Sequence, residues 1–123
     1  MTGRVVHFEI PFDDETRATA FYTAAFDWNL QQLPGYTLAA TGPTSDLAPS
    51  EPGFVNGGLL TRDAGGAAKP VIVVDVPSID AALAKIEELG GKTVSGKRAV
   101  GDFGFAAYFN DTEGNLMGLW EAA

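Results

Sequence analysis

From Val5 to Trp28 the chain reads VVHFEIPFDDETRATAFYTAAFDW, and from Pro70 to Gly91 it reads PVIVVDVPSIDAALAKIEELGG. Each stretch is a β-rich run, then a residue suited to cap a helix, then an apolar-periodic helix ending near Phe26 or Leu89. Two copies of one pattern predict a pseudo-symmetric fold with a cavity between its halves. The copies differ at one telling position. The strand of the first carries His7, the only histidine of the chain, and the matching position of the second is Val71.

Along Val5 to Pro11, alternation puts Val6, Phe8 and Ile10 on one face and Val5, His7 and Glu9 on the other. The purely apolar face predicts a covering helix, started by Asp13 or Asp14 and packing through Ala18, Phe21, Tyr22, Ala25 and Phe26. Strands are expected over Trp28 to Gln32, Tyr36 to Ala40 and Phe54 to Thr61. In the second half a strand over Pro70 to Val76 leads to a helix capped by Ser78, which buries Ala82, Leu83, Ile86 and Leu89 and stops at Gly90 and Gly91. Strands over Lys92 to Ser95, Phe103 to Phe109 and Leu116 to Trp120 follow, the last two joined by the turn NDTEGN. The stretch DAGGAAK between the halves reads as a flexible connector. TGPTSDLAPSEPG, Thr41 to Gly53, is the best lid candidate, being long and rich in Pro, Gly and Ser.

A chain of 123 residues with 46% hydrophobic and 20% charged residues suits one compact domain and is too short for two independent ones. Eight basic against sixteen acidic residues leave a net charge of -8, whose field repels nucleic acid and anionic membranes. The absence of cysteine excludes disulfides, thiolate metal sites and a cysteine nucleophile. No run approaches the roughly 18 apolar residues of a membrane span, and MTGRVVHFEIP lacks the apolar core of a signal peptide. A cytoplasmic location is expected.

HFEIP followed by DDETRATAFY, then VDVPSIDAALAKIEELGGK and the closing YFNDTEGNLMGLWE, together resemble the vicinal oxygen chelate superfamily of glyoxalase I, extradiol dioxygenases and bleomycin-resistance proteins. The resemblance covers nearly the whole chain. It implies an α+β fold of two βαβββ modules, about residues 4–62 and 70–121, forming a curved, cup-shaped, eight-stranded mixed sheet with helices outside. It also implies a small-molecule site in the cup, and a homodimer. Metal-dependent members take four ligands from equivalent strands, and here His7 matches one such position while Val71, Gly58 and Gly118 occupy the other three. His7 is thus the only retained ligand position, and no metal or other cofactor is expected.

The remaining residues suggest what the site could do without a metal. Glu9 shares the strand face of His7, and a carboxylate beside an imidazole raises its pKa and holds its tautomer, so the pair is the candidate for proton transfer. A relocated metal site of His7, Glu9 and Asn56 is the competing reading. Ligand-binding candidates are Trp28, Tyr36, Asn56, Gly58, Phe105, Tyr108 and Trp120, the aromatics because apolar walls suit small organic ligands. Each aromatic could equally be core. Gly57, Gly58 and Gly118 would leave the backbone open to a ligand, or else mark bulges that curve the sheet.

Other signals fall away on spacing. GGKT and GKTVSGKR lack the residues of a phosphate loop and follow a helix instead of opening one. Asp13, Asp14 and Glu15 are explained by capping, NDTEGN by a hairpin turn, and there is no GxSxG nucleophile elbow. Three readings of function stay open. The first is a glyoxalase-like protein that binds a small organic molecule in the cup without a metal. The second is an enzyme, a lyase, isomerase or dioxygenase using a metal or His7. The third is an acidic protein that sequesters a cationic antibiotic.

Overall fold

The computed structural model describes residues 3–62 and 68–123. Most of the connector lies outside the described residues. Contacts divide the chain into two units, His7–Pro70 and the residues up to Val6 together with Val71–Ala123. The few N-terminal residues join the second unit because Gly3 N–H donates to the Asp75 carbonyl and Asp75 N–H to that of Arg4.

The first unit contains β1 (Val5–Phe12, from His7 onward), α1 (Glu15–Phe26), β2 (Asn29–Leu33), β3 (Tyr36–Ala40), a hairpin of β4 (Thr44–Ser45) and β5 (Ala48–Pro49), and β6 (Asn56–Thr61). Its sheet runs β2-β3-β6-β1, with β1 and β6 parallel and the other pairs antiparallel. The second unit contains β7 (Val71–Asp75), α2 (Ile79–Glu88), β8 (Lys92–Val100), β9 (Gly104–Asn110) and β10 (Leu116–Ala122). Its strands run β7-β10-β9-β8, again with one parallel pair, β7 with β10. Apart from the β4-β5 hairpin the two orders are the same. The α+β class and the two βαβββ modules are present as the sequence suggested, eight strands in mixed pairing with two helices.

Register confirms which residues correspond. Glu9 lies opposite Gly58 and His7 opposite Asn56, while Gly118 lies opposite Val73. Counting from either glycine pair, Val71 stands where His7 does.

The two helices are held differently. Ser78 caps α2 by accepting from Ala81 N–H, and the helix sinks Ile79 and Leu83 against Ala107 and Leu119. Leu89 is exposed, because it caps the helix instead of continuing it. On α1 Asp14 accepts from Arg17 N–H, but no residue of this helix is fully buried. Phe21 and Phe26, expected on its packing face, are 60% and 61% exposed. Ala and Thr ring this helix, so its apolar residues form no single stripe, and only Ala18, Thr19 and Tyr22 beyond its first residue are half-buried. Glu15 ties the helix start to the sheet by accepting from Thr37 and Gln32. No helix among the described residues is long and apolar enough to cross a membrane.

Candidate functional site

Period-two alternation and the strand register sort the first unit's sheet into two faces. His7 and Glu9 of β1, Asn56 and Gly58 of β6, Tyr36, Leu38 and Ala40 of β3, and Asn29 and Gln31 of β2 share one face. Phe8, Gly57 and Ala39 lie on the other. His7 and Glu9 therefore stand together, as alternation along one strand requires.

What joins them is Tyr36. Nε2 of His7 lies 2.8 Å from the Tyr36 hydroxyl, and that hydroxyl donates to Glu9 Oε2 at 3.1 Å. The phenol reaches both because the residue opposite its path is Gly58: a Cβ built there would overlap the hydroxyl and ring of Tyr36. At Gly57 a Cβ would likewise run into the Phe8 ring. These two glycines make room for the protein's own aromatics, and the open backbone expected at them is filled. At Gly118 a Cβ would meet Val73 at 3.0 Å, and Tyr108 and Val71 at 3.6 Å.

The electrostatics depart from the sequence reading. Glu9 does raise the pKa of His7, but desolvation by burial is the larger effect and the net shift is downward from 6.5. Burial wins because His7 is largely enclosed and Glu9 is itself already engaged by the Tyr36 hydroxyl. The shift favours the neutral imidazole.

His7 lines a pocket of about 280 Å³ whose walls include Asn29, Gln31, Leu38, Ala40 and Asn56 from the sheet. Ala39 and Gly57 border it as well, and the β4-β5 hairpin adds a wall through Thr44, Asp46 and Leu47. The loop singled out as a lid candidate thus borders the pocket. Asp46 and Leu47 are the two central residues of the hairpin and both have positive φ, 51° and 66°. Asn56 anchors the hairpin's root, its Oδ1 accepting from Thr41 N–H at 3.0 Å and its Nδ2 donating to Thr44 Oγ1 at 2.9 Å. Sequence reading missed Asn29, Gln31, Leu38, Ala40, Thr44, Asp46 and Leu47 as lining residues. Alternation of polar residues on β2 was the signal available for the first two.

The other candidates are placed elsewhere. Trp28 lies on the helix side, stacked on Tyr22 at 4.9 Å and near Phe26 and Phe8. The left-handed cap at Asp27 turns the chain back and delivers it there. In the second unit Phe105 packs beside the α2 core with Lys97 over its ring. Tyr108 and Trp120 share the opposite face with Gly118, Tyr108 buried and Trp120 half-buried. Glu121, next to Trp120, accepts from Ile79 N–H at 2.7 Å and from Lys97 at 3.0 Å, which assigns it to helix capping.

A divalent metal, which the fold family implies, does not fit this donor set. Among the described residues no three His, Asp or Glu side chains cluster closely enough to hold an ion. Asn56, the third donor of the relocated site, spends its amide on Thr41 and Thr44.

Two modules of matching strand order, the first carrying a pocket lined by His7, make this a duplicated βαβββ fold. The sequence family described as bleomycin resistance protein-like N-terminal matches residues 4–42. A glyoxylase-like domain-containing protein of Didymella fabae is 29% identical over 125 residues, 95% of this chain and 92% of its own. CFP32 of Mycobacterium tuberculosis, which carries a provisional glyoxylase name, is 28% identical over 120 residues, 89% of this chain. The chain spans only 42% of that relative's length. Among solved structures, a methylmalonyl-CoA epimerase variant of Streptomyces coelicolor, in complex with 2-nitronate-propionyl-CoA, superposes with a TM-score of 0.70 at 18% identity, covering 100% of this chain and 96% of its own. BH1468 of Bacillus halodurans gives 0.68 at 16% identity, covering 98% and 95%. In sequence the chain is thus similar to bleomycin resistance-like and glyoxylase-like proteins, and in fold to the epimerase and to BH1468.

Proposed function

We propose that this glyoxalase-like protein binds a small organic molecule, without a protein-bound metal, in the His7 pocket of its first module. The observation that carries the reading is the pocket itself: apolar Leu38, Leu47 and Ala40 beside polar His7, Asn29, Gln31 and Asp46. Such a mixture supplies contact area from apolar groups and orientation from a few polar ones. The epimerase neighbour, whose fold is shared, holds a small-molecule ligand of its own.

The test is a thermal-shift screen of small organic compounds on the whole chain and on Ala40→Trp, which fills the pocket. Compounds should stabilise the parent chain and not the variant. Equal stabilisation of both would place binding elsewhere. Metal analysis after soaking in zinc, nickel, manganese and iron salts tests the metal-free part, and a stoichiometric ion would overturn it. A homodimer without nucleic-acid or membrane partners belongs to the same reading and is checked by sedimentation.

A second reading, proton-transfer catalysis with His7 as general base, is favoured by the hydrogen-bonded chain from His7 through Tyr36 to Glu9. It requires turnover to vanish in His7→Ala while ligand affinity survives. Sequestration of a cationic antibiotic draws on the net charge of -8; flat calorimetry with basic glycopeptides would remove it.

A further inference from the structure

The hydrogen-bond chain at the pocket has a direction, and the direction restricts what His7 can offer. A carboxylate has no proton to give, so it only accepts. The Tyr36 hydroxyl spends its single proton on Glu9 Oε2. What it turns toward His7 Nε2, 2.8 Å away, is a lone pair. Nε2 must then carry the proton of that bond. A neutral imidazole has one N–H, so once Nε2 holds it, Nδ1 is a bare acceptor. Burial favours the neutral form of the imidazole. Among the described residues Nδ1 has no hydrogen-bond partner, and His7 lines the pocket.

Asp46, on the hairpin wall of the same pocket, is a second acceptor-only group when ionised. The remaining polar lining residues, Asn29, Gln31, Thr44 and Asn56, can each both donate and accept, so they impose no opposite demand.

We infer that Tyr36, braced by Glu9, is a positioning residue that locks His7 in the Nε2–H tautomer, and that the pocket's ligand is an organic molecule presenting an O–H or N–H donor to Nδ1. This rests on the pocket reading given above and narrows its ligand class. Acceptor-only compounds of the same size, such as ethers, would leave Nδ1 unpaired and bind worse. Tyr36 itself touches no ligand in this scheme. Its part is to pass the polarity of the carboxylate to the imidazole.

Because His7 is the only histidine, long-range proton–nitrogen correlation spectra of imidazole-labelled protein report its tautomer without assignment. The ligand-free chain near neutral pH should show Nε2 protonated and Nδ1 bare, and Tyr36→Phe, which keeps the ring over Gly58, should lose that bias toward a mixture. Phenol and anisole serve as probes, alike in ring and different in their donor. Phenol should move the Nδ1 resonance and bind roughly three- to tenfold tighter than anisole, the worth of one hydrogen bond. A parent chain with its proton on Nδ1, or a Tyr36→Phe spectrum unchanged from the parent, overturns the tautomer assignment and leaves pocket binding standing. The expected tautomer with equal phenol and anisole affinity overturns the donor class. The expected tautomer with no response of His7 to either probe overturns the donor class and the pocket reading together.

Discussion

The Tyr36 ring lies directly over Gly58, so close that a side-chain carbon at position 58 would overlap the phenol. The backbone register sets this up, since Leu38 of β3 faces Gly58 of β6, and Tyr36 reaches along the same face to Glu9. The missing side chain at 58 and the phenol between His7 and Glu9 are therefore one feature.

Gly58→Ala should force Tyr36 away and cost about 1–3 kcal/mol of stability, the usual penalty for overpacking. Urea unfolding measures it. In a Tyr36→Ala background the same glycine change should cost much less, because the obstructing ring is gone. Additive costs would mean that the two positions do not touch.

His7 gives the protein an acid-sensitive limb. Burial lowers its folded pKa below 6.5, so between the two values the unfolded chain holds more protons than the folded one and stability rises with pH. Acidification from pH 6.5 through the folded value should lower the unfolding midpoint. His7→Gln should lack this limb. It should keep a second decline at lower pH, set by Glu87, Asp111 and Glu121. Their pKa values are depressed chiefly by hydrogen bonds from Thr93, Asn115 and Ile79 respectively, so their contribution disappears as the carboxylates protonate.

Leu47 occupies the left-handed region at the second central position of a two-residue hairpin, where glycine is the ordinary choice. A side chain there costs roughly 1–2 kcal/mol, partly offset by the stiffness it lends the unfolded chain. Leu47→Gly should stabilise the protein by about 1 kcal/mol or less and also weaken ligand binding, since Leu47 is a pocket wall. Thermal melts with and without ligand separate the two effects. A destabilised variant would contradict the strain argument.

Glu121 joins three elements of the second unit: its own strand, the start of α2 through Ile79 N–H, and β8 through Lys97. Glu121→Ala should lower the thermal midpoint, and Lys97→Ala should lower it less, because the lysine change leaves the helix cap intact. Hydrogen exchange at Ile79 reports the cap directly. Unchanged protection there in Glu121→Ala would remove the capping role.

Most strands, the helix caps and the duplicated order were legible because each depends on local pattern: alternation around His7, Asp13 or Asp14 and Ser78 at helix starts, and the turn at Asp111; the short β4 and β5 inside the expected loop and the continuation of β8 to Val100 were not. The pairing of His7 with Glu9 on one face followed from the same alternation. The Tyr36 bridge was not legible as a bridge. It depends on how β3 registers against β6, a relation between segments far apart along the chain. Asn56 was placed on the right face, but its amide is claimed by Thr41 and Thr44, polar partners in a loop that alternation does not describe. Trp28 went to the helix side because the left-handed cap at Asp27 turns the chain just before it. The sign of the His7 shift required knowing how deeply the ring is buried, which one strand cannot tell.

The central claim is that a small molecule sits in the His7 pocket. The most direct test is amide chemical-shift mapping with the best compound of the screen, on the parent chain and on Ala40→Trp. Shifts should concentrate at His7, Asn29, Gln31, Leu38 and Leu47 and be absent from the variant. Shifts that bypass those residues, or that persist in Ala40→Trp with its pocket filled, would contradict the claim.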